Sequence, residues 1–360
     1  MSALKKLQAA LPVLGVDGAL ISSELNQRYL SGFDYSDGYL LVTPDRAYLL
    51  ADFRYAEAAR AETVGWEIIR PERTMTEEIK RLIGQEGLSR VALEDATLSC
   101  ADYQRFSKIF DGCTLCTGAS ELLKDLRAVK SEAEFAVIAE AQALTDRAFT
   151  HILDVLANRT ERTTERDIAL ELEFFMRKHG AEATAFDTIA VSGSASSLPH
   201  GVPRDLPLQQ GFLTMDFGAK VRGYCSDMTR TVVLGKADEE MKRVYHTVLS
   251  AQLAALDAIQ EGMLCRDADE VARGIIREAG YGQCFGHSLG HGVGMYIHES
   301  PSLSPRAAEA SVLVRGNVVT VEPGIYIEGK YGCRIEDMIA IKHDGTVRNF
   351  TKSPKELIEL

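Results

Sequence analysis

Gly211-Phe212-Leu213-Thr214-Met215-Asp216-Phe217-Gly218 reads as a strand with an acid near its middle, where aspartate is depleted. After Lys220-Val221-Arg222-Gly223 the chain resumes as Tyr224-Cys225-Ser226-Asp227-Met228-Thr229-Arg230-Thr231-Val232-Val233. A hairpin centred on Val221 and Arg222 places Asp216 opposite Asp227, on the same face of the sheet. Like charges so placed repel, so the pair is either a solvent-facing edge or a demand for a cation.

The same geometry recurs near the C-terminus. Asn317-Val318-Val319-Thr320-Val321-Glu322 is a strand ending at Pro323-Gly324, and Cys333-Arg334-Ile335-Glu336-Asp337-Met338-Ile339-Ala340-Ile341 is its expected partner. Glu322 and Glu336 are symmetric about Gly329, so they too face each other. Between the two hairpins lies Gly286-His287-Ser288-Leu289-Gly290-His291-Gly292-Val293-Gly294-Met295-Tyr296-Ile297-His298-Glu299, with three of the chain's eight histidines. Gly290, Gly292 and Gly294 are expected to let the backbone approach a bound group, with His291 as the natural ligand. His200 sits in the loop Leu198-Pro199-His200-Gly201. The zincin pattern HExxH is absent, because His298-Glu299 has no second histidine at the required spacing.

Four carboxylates and one imidazole carry a formal charge of about −4, which two divalent cations balance and one does not. Oxygen-dominated ligands suit Mn2+ or another hard or borderline ion. Such ions sit about 3.5–4 Å apart and share a hydroxide able to attack a carbonyl or phosphoryl group. The residues alone therefore point to a two-metal hydrolase.

The rest of the chain frames this centre. Its 360 residues give a soft prior of two domains, and 46% apolar with 26% charged residues is ordinary for a folded globular protein. A net charge of −12 weighs against a general nucleic-acid binder. No stretch reaches the roughly 18 apolar residues of a membrane span. Seven cysteines, an odd number spread from Cys100 to Cys333, suit reduced thiols in a cytoplasm better than a disulfide framework. Cys113-Thr114-Leu115-Cys116 is a CxxC with no second pair, a weak redox or zinc signal.

Lys5 to Leu14 is expected to be a short amphipathic helix rather than a signal peptide, because Gln8 and Pro12 interrupt its apolar run. It leads into a strand at Ala19-Leu20-Ile21. Tyr39–Thr43 and Ala47–Ala51 form a hairpin over Pro44-Asp45-Arg46, with helices at 54–62 and 76–83 and a strand at 91–94. No GxxxxGK or GxGxxG loop occurs in this small α/β unit. Past a boundary near residue 125 four helices are expected. Ser131 with Glu134 and Thr164 with Asp167 cap the first two, the third starts near Asp238, and Asp267 with Glu270 cap the fourth, which Gly280 ends. The fold class is thus α+β: a smaller α/β domain over residues 1–125, then a curved, largely antiparallel sheet covered by helices over 126–360.

The Asp216 strand, Ser226-Asp227-Met228-Thr229-Arg230-Thr231, Gly290-His291-Gly292-Val293-Gly294, Val321-Glu322-Pro323-Gly324-Ile325-Tyr326 and Arg334-Ile335-Glu336-Asp337 resemble, in order and spacing, the motifs of the pita-bread metallopeptidases. The first third, with Tyr29-Leu30-Ser31-Gly32-Phe33 and Asp52-Phe53-Arg54-Tyr55, is similar to the creatinase-type domain of Xaa-Pro aminopeptidases (aminopeptidase P) and Xaa-Pro dipeptidases (prolidases). Methionine aminopeptidases share only the second domain.

The resemblance implies that Asp216, Asp227, His291, Glu322 and Glu336 are the metal ligands, with Asp227 and Glu336 bridging two ions. It implies Mn2+, with Co2+ or Zn2+ able to share the ligands. Glu322 is implied as proton shuttle, and His298 and His200 as the residues that hold the substrate carbonyl and stabilise its oxyanion. His287 and Arg334 are implied to line the proline-side pocket. Creatinase, a metal-free relative, has lost the ligands that are present here. The substrates implied are short peptides with proline second, the assembly a homodimer, and the location the cytoplasm. Strict dipeptidase action is the alternative to aminopeptidase action. A non-catalytic peptide-binding protein of the same fold, or a hydrolase acting on phosphoesters, are the remaining readings.

Overall fold

Leu20 and Ile21, neighbours in one strand, belong to two different cores. They do so because successive side chains of a strand point to opposite faces, and this sheet is covered on both. In the computed structural model, which describes residues 2–360, the chain divides into the units Met1–Arg127 and Ala128–Leu360. The helix Ala119–Ala128 crosses the boundary expected near residue 125.

The first unit is built on a six-stranded sheet. Its order is Glu67–Ile69, Ala47–Leu50, Tyr39–Val42, Gly18–Ile21, Arg90–Leu93, Thr114–Cys116. The three strands from Ala47–Leu50 to Gly18–Ile21 are antiparallel, and the outer pairings are parallel. Burial on both faces explains why these strands read as unbroken apolar runs rather than as alternation. The N-terminal helix Ala3–Leu14 packs Leu7 and Leu11 on one face; Phe106 and Phe110 fill the other. Trp66, the single tryptophan, packs against the core of Leu7 and Leu11. Cys113 lies with the Leu20 core and Cys116 with the Ile21 core. Both thiols nevertheless lie near the Thr114 carbonyl, at 3.9 and 3.8 Å, and no disulfide joins them. All seven cysteines are free.

In the second unit, two helix pairs cover antiparallel sheets. Glu132–Ala157 and Glu165–Lys178 share a core with Leu213, Met215 and Phe217; Glu239–Ala258 and Cys265–Glu278 share another with Phe212, Val233 and Val319. Phe212 and Leu213 again show the strand period of two. Both expected capping boxes form, at Ser131 with Glu134 and at Thr164 with Asp167. Asp238 caps the third helix, which buries Met241, Val244, Tyr245 and Val248.

The fourth helix corrects the expectation. Its N-cap is Leu264, and Asp267 lies inside the first turn. Cys265 N–H donates to the Ser311 carbonyl at 2.9 Å, so backbone pairing takes the place of a side-chain cap. Glu270 pairs instead with Arg277 at 2.6 Å.

Candidate metal centre

The first acid hairpin turns one residue later than its sequence pattern indicates. Val221 pairs with Tyr224 and Lys220 with Cys225, leaving Arg222 and Gly223 as the turn. Both are left-handed, at φ 45° and 85°, the backbone that a two-residue type I′ turn requires. Shifting the centre by one residue shifts every partner by two, so Asp216 stands opposite Thr229 rather than Asp227. A two-residue offset keeps the face, and both acids still reach one cavity.

The second hairpin holds the expected register. Gly324 pairs with Arg334 and Ile327 with Tyr331. Farther from the turn, Val321 pairs with Asp337 on the same count. The ladder breaks only at Glu322-Pro323 and Ile335-Glu336, because proline has no N–H to give. Glu322 and Glu336 sit at that interruption and face each other.

His291 lies on the short strand Gly290–Gly292, between the strands Glu299–Leu303 and Val318–Val321. The three glycines serve this packing. A Cβ at Gly290 would lie 2.0 Å from the Thr320 carbonyl, one at Gly292 2.2 Å from that of Ser300, and one at Gly294 2.4 Å from the Glu299 carboxylate. They make room for neighbouring chain rather than for a bound group, which corrects the expectation.

A cavity of about 870 Å3 is lined by Asp216, Asp227, His291, Glu322 and Glu336, and also by His200, His287, His298 and Arg334. All nine residues singled out from the sequence thus meet in one place. Ligand atoms of Asp227, His291 and Glu336 lie within 4.8 Å of one another. His291 Nδ1 is 3.1 Å from the Gly292 carbonyl, a contact that needs the proton on Nδ1. Nε2 is then a lone pair facing Glu322 Oε1 at 3.3 Å and Asp227 Oδ2 at 3.6 Å. Acceptors facing acceptors in this way leave a place for a cation. Asp216 adds to it: Oδ2 accepts from Arg334 Nη2 at 2.7 Å, while Oδ1 is buried with no protein donor.

The electrostatics agree. Burial, then the charges of Glu336, Asp216 and Glu322, push the Asp227 carboxyl well above the usual range. Glu336 is pushed up by burial and by Glu322 and Asp216, and burial raises Glu322 to about 8. Burial acts on imidazoles with the opposite sign and brings His287 and His291 down to about 4. Acids that resist ionisation beside neutral imidazoles are what a divalent cation would relieve, since it binds carboxylate and neutral imidazole.

Residues given no role from sequence join these groups together. Thr229 Oγ1 donates to Glu336 Oε2 at 2.8 Å and accepts from Arg334 Nε at 2.9 Å. Thr320 Oγ1 donates to Glu322 Oε1 at 3.2 Å. Tyr326 OH accepts from Arg334 Nη1 at 2.6 Å and is 3.0 Å from His287 Nε2. The strand period flags Thr229, two residues past Asp227. Tyr326 has a subtler sign: it faces Gly332, where a Cβ would lie 2.7 Å from its ring. Arg334 gives four contacts to protein acceptors, the fourth the Pro199 carbonyl at 3.4 Å. His200 lies on an exposed turn of the cavity wall. The rings of His298 and His291 meet edge-on at 4.3 Å.

Comparison with known proteins bears on the same residues. Residues 136–343 match Metallopeptidase family M24, and residues 4–129 match the Creatinase/Prolidase N-terminal domain. An uncharacterized peptidase of Bacillus subtilis is 42% identical over 358 residues, 99% of either chain. Among solved structures, an Xaa-Pro dipeptidase from Bacillus anthracis superposes with a TM-score of 0.94 at 40% identity, covering 99% of each chain. An X-Pro aminopeptidase from Thermotoga maritima superposes with a TM-score of 0.90 at 36% identity, covering 98% of this chain and all of that one. Likeness that runs from end to end at this level of identity is common descent: the chain belongs to Metallopeptidase family M24 and is a peptide hydrolase.

Proposed function

We propose that this peptidase uses two divalent metal ions to hydrolyse the Xaa-Pro bond at the N-terminus of short peptides. Asp216, Asp227, His291, Glu322 and Glu336 would hold the ions. The observation that carries this reading is the convergence of these five side chains on one cavity, with a buried, unpartnered Asp216 oxygen and the His291 lone pair facing carboxylates. When bound, the ions would polarise the scissile carbonyl and make an attacking water more acidic.

The protein's own groups do the remaining work. Glu322, whose Oε1 lies 3.3 Å from His291 Nε2 in the cavity, is suited by position to take a proton from the attacking water and give it to the leaving amine. His298 is lowered by burial and is neutral near pH 7, so it can donate one N–H to the substrate carbonyl without adding charge. His200 approaches from the exposed wall. His287, fixed by Tyr326, and Arg334, fixed by Asp216, Thr229 and Tyr326, would shape the proline side. Proline makes a dedicated site necessary, because its amide has no N–H and its ring locks φ. An apolar wall that includes Phe186, Ile189, Val202 and Pro203 suits such a ring.

Names among the structural neighbours divide between dipeptidase and aminopeptidase. The deciding experiment strips metal with a chelator, restores Mn2+, and compares an Xaa-Pro dipeptide with an Xaa-Pro-Yaa tripeptide. Mn2+-restored cleavage of both is expected; cleavage of the dipeptide alone assigns strict dipeptidase action. No metal-dependent cleavage of either overturns the two-metal, Xaa-Pro reading. A homodimer, on the strength of the resemblance, and a cytoplasmic location, on that of seven free cysteines, complete the proposal.

A further inference from the structure

Arg230 belongs to one of the motifs in the metal-site hairpins, yet it does not line the cavity. Its side chain is 1% exposed, and each of its five N–H groups has an acceptor. Nη1 donates to the main-chain carbonyls of Thr229 at 2.9 Å and Glu336 at 2.5 Å. Nη2 donates to Asp337 Oδ1 at 2.8 Å and the Ser353 carbonyl at 2.9 Å, and Nε to the Pro354 carbonyl at 2.9 Å. One guanidinium thus ties together two hairpins and a C-terminal segment.

The two carbonyls on Nη1 are the backbone of groups that meet on the cavity side. Glu336 N–H donates to Thr229 O at 3.1 Å, and Thr229 Oγ1 donates to the Glu336 carboxylate at 2.8 Å. Holding both carbonyls at one nitrogen fixes the distance between the strands at the point where Glu336 enters the cavity. The tail segment is itself pinned. Ser353 N–H donates to Asp146 at 2.9 Å, Lys355 Nζ to Asp337 Oδ2 at 2.8 Å, and Tyr245 OH to the Lys355 carbonyl at 3.0 Å.

We propose that Arg230 is a positioning residue for Glu336, through which the C-terminal segment 353–355 sets the geometry of the metal centre. The inference rests on the two-metal reading above. Lysine keeps the charge but offers its donors at a single point, so it cannot span carbonyls from three segments.

The test measures Mn2+ binding by calorimetry on the full-length, folded protein, with the Mn2+ electron paramagnetic resonance spectrum as a second readout. R230K is expected to weaken Mn2+ binding by about 10- to 100-fold, the usual effect of removing an outer partner of a metal ligand, and to change the spectrum. Pro354 is exposed, so P354G folds readily while loosening the tail carbonyls; it is expected to shift affinity in the same direction by less. It decides the matter if R230K does not fold. K236M, which removes only an exposed pair with Glu359 farther along the tail, leaves affinity and spectrum unchanged. Unchanged Mn2+ affinity and spectrum in folded R230K and P354G, with the parent binding metal, overturn this proposal alone. A parent chain that binds no Mn2+ overturns the two-metal reading, and this inference with it.

Discussion

The hairpin that carries Asp216 and Asp227 turns on Arg222 and Gly223, both left-handed. The hairpin that carries Glu322 and Glu336 turns through residues 328–330, where only Gly329 is left-handed. The first places its acids on a diagonal and puts Thr229 opposite Asp216; the second sets its acids face to face. Arg334 grows from the second hairpin and pairs with an acid of the first. Glu322 and Glu336 are left with the hydroxyls of Thr320 and Thr229. A hydroxyl orients a carboxylate without neutralising it, so these two acids, with Asp227 of the first hairpin, keep the unrelieved charge that a cation would meet.

The largest effect should come from that pair. Glu322→Gln keeps the shape but removes the proton acceptor and one proposed metal ligand, so at saturating Mn2+ kcat on an Xaa-Pro peptide should fall by about 10²- to 10⁴-fold. A fall of less than tenfold in steady-state kinetics would assign the proton transfer elsewhere. Next come the two threonines. Thr229→Val removes a buried partner of both Glu336 and Arg334 and should weaken Mn2+ binding by roughly 10- to 100-fold. Thr320→Val, which removes a partner of Glu322 and of the His291 N–H but leaves Arg334 untouched, should cost less, and calorimetry giving the reverse order would break the contrast between the hairpins.

The pH dependence of the metal-free protein follows from the same charges. Glu322 titrates near 8 in the folded chain against an ordinary value of 4.5, so the folded state holds the extra proton and its stability falls as pH rises through that window. His287 and His291, lowered from 6.5 to about 4, bind fewer protons when folded and make stability rise between those values. The two trends oppose each other below about pH 6.5, and above it only the raised acids remain, Glu322 together with Asp227 and Glu336. The Tm of chelated protein should therefore drop from pH 6.5 to 8, and Mn2+ should abolish the drop. A flat Tm without metal would show that the acids are already compensated.

The smallest effect concerns the turn. Arg222→Asn gives it the Asn-Gly pair that type I′ geometry favours and should raise stability by under about 1 kcal/mol. The exposed Arg222–Glu140 pair lost in the exchange is worth little. A lower Tm on a thermal melt would mean that this pair, and not the backbone, holds the turn.

Much of this was legible in the sequence because it depends on local rules. Acids sharing one face follow from the strand period, the capping boxes at Ser131 and Thr164 from spacing, and the hairpin of Tyr39–Val42 with Ala47–Leu50 from its short apolar runs. What failed depends on partners remote in the chain. The fourth helix is capped by the Ser311 backbone, and the glycines around His291 are dictated by Thr320, Ser300 and Glu299. The slipped hairpin was a near miss: Gly223 marks the turn, but a left-handed Arg222 beside it is not what its residue type leads one to expect. Arg230 lay in a quoted motif, yet its tail acceptors lie over 120 residues away.

The position of Trp66 has a practical consequence. As the single indole, packed on the core of residues 1–127, it makes intrinsic tryptophan fluorescence a reporter of that unit alone. A melt followed at tryptophan wavelengths would track the metal-free unit, whereas calorimetry or far-ultraviolet circular dichroism would register both. Disagreement between the two signals would be the direct sign that the units unfold separately.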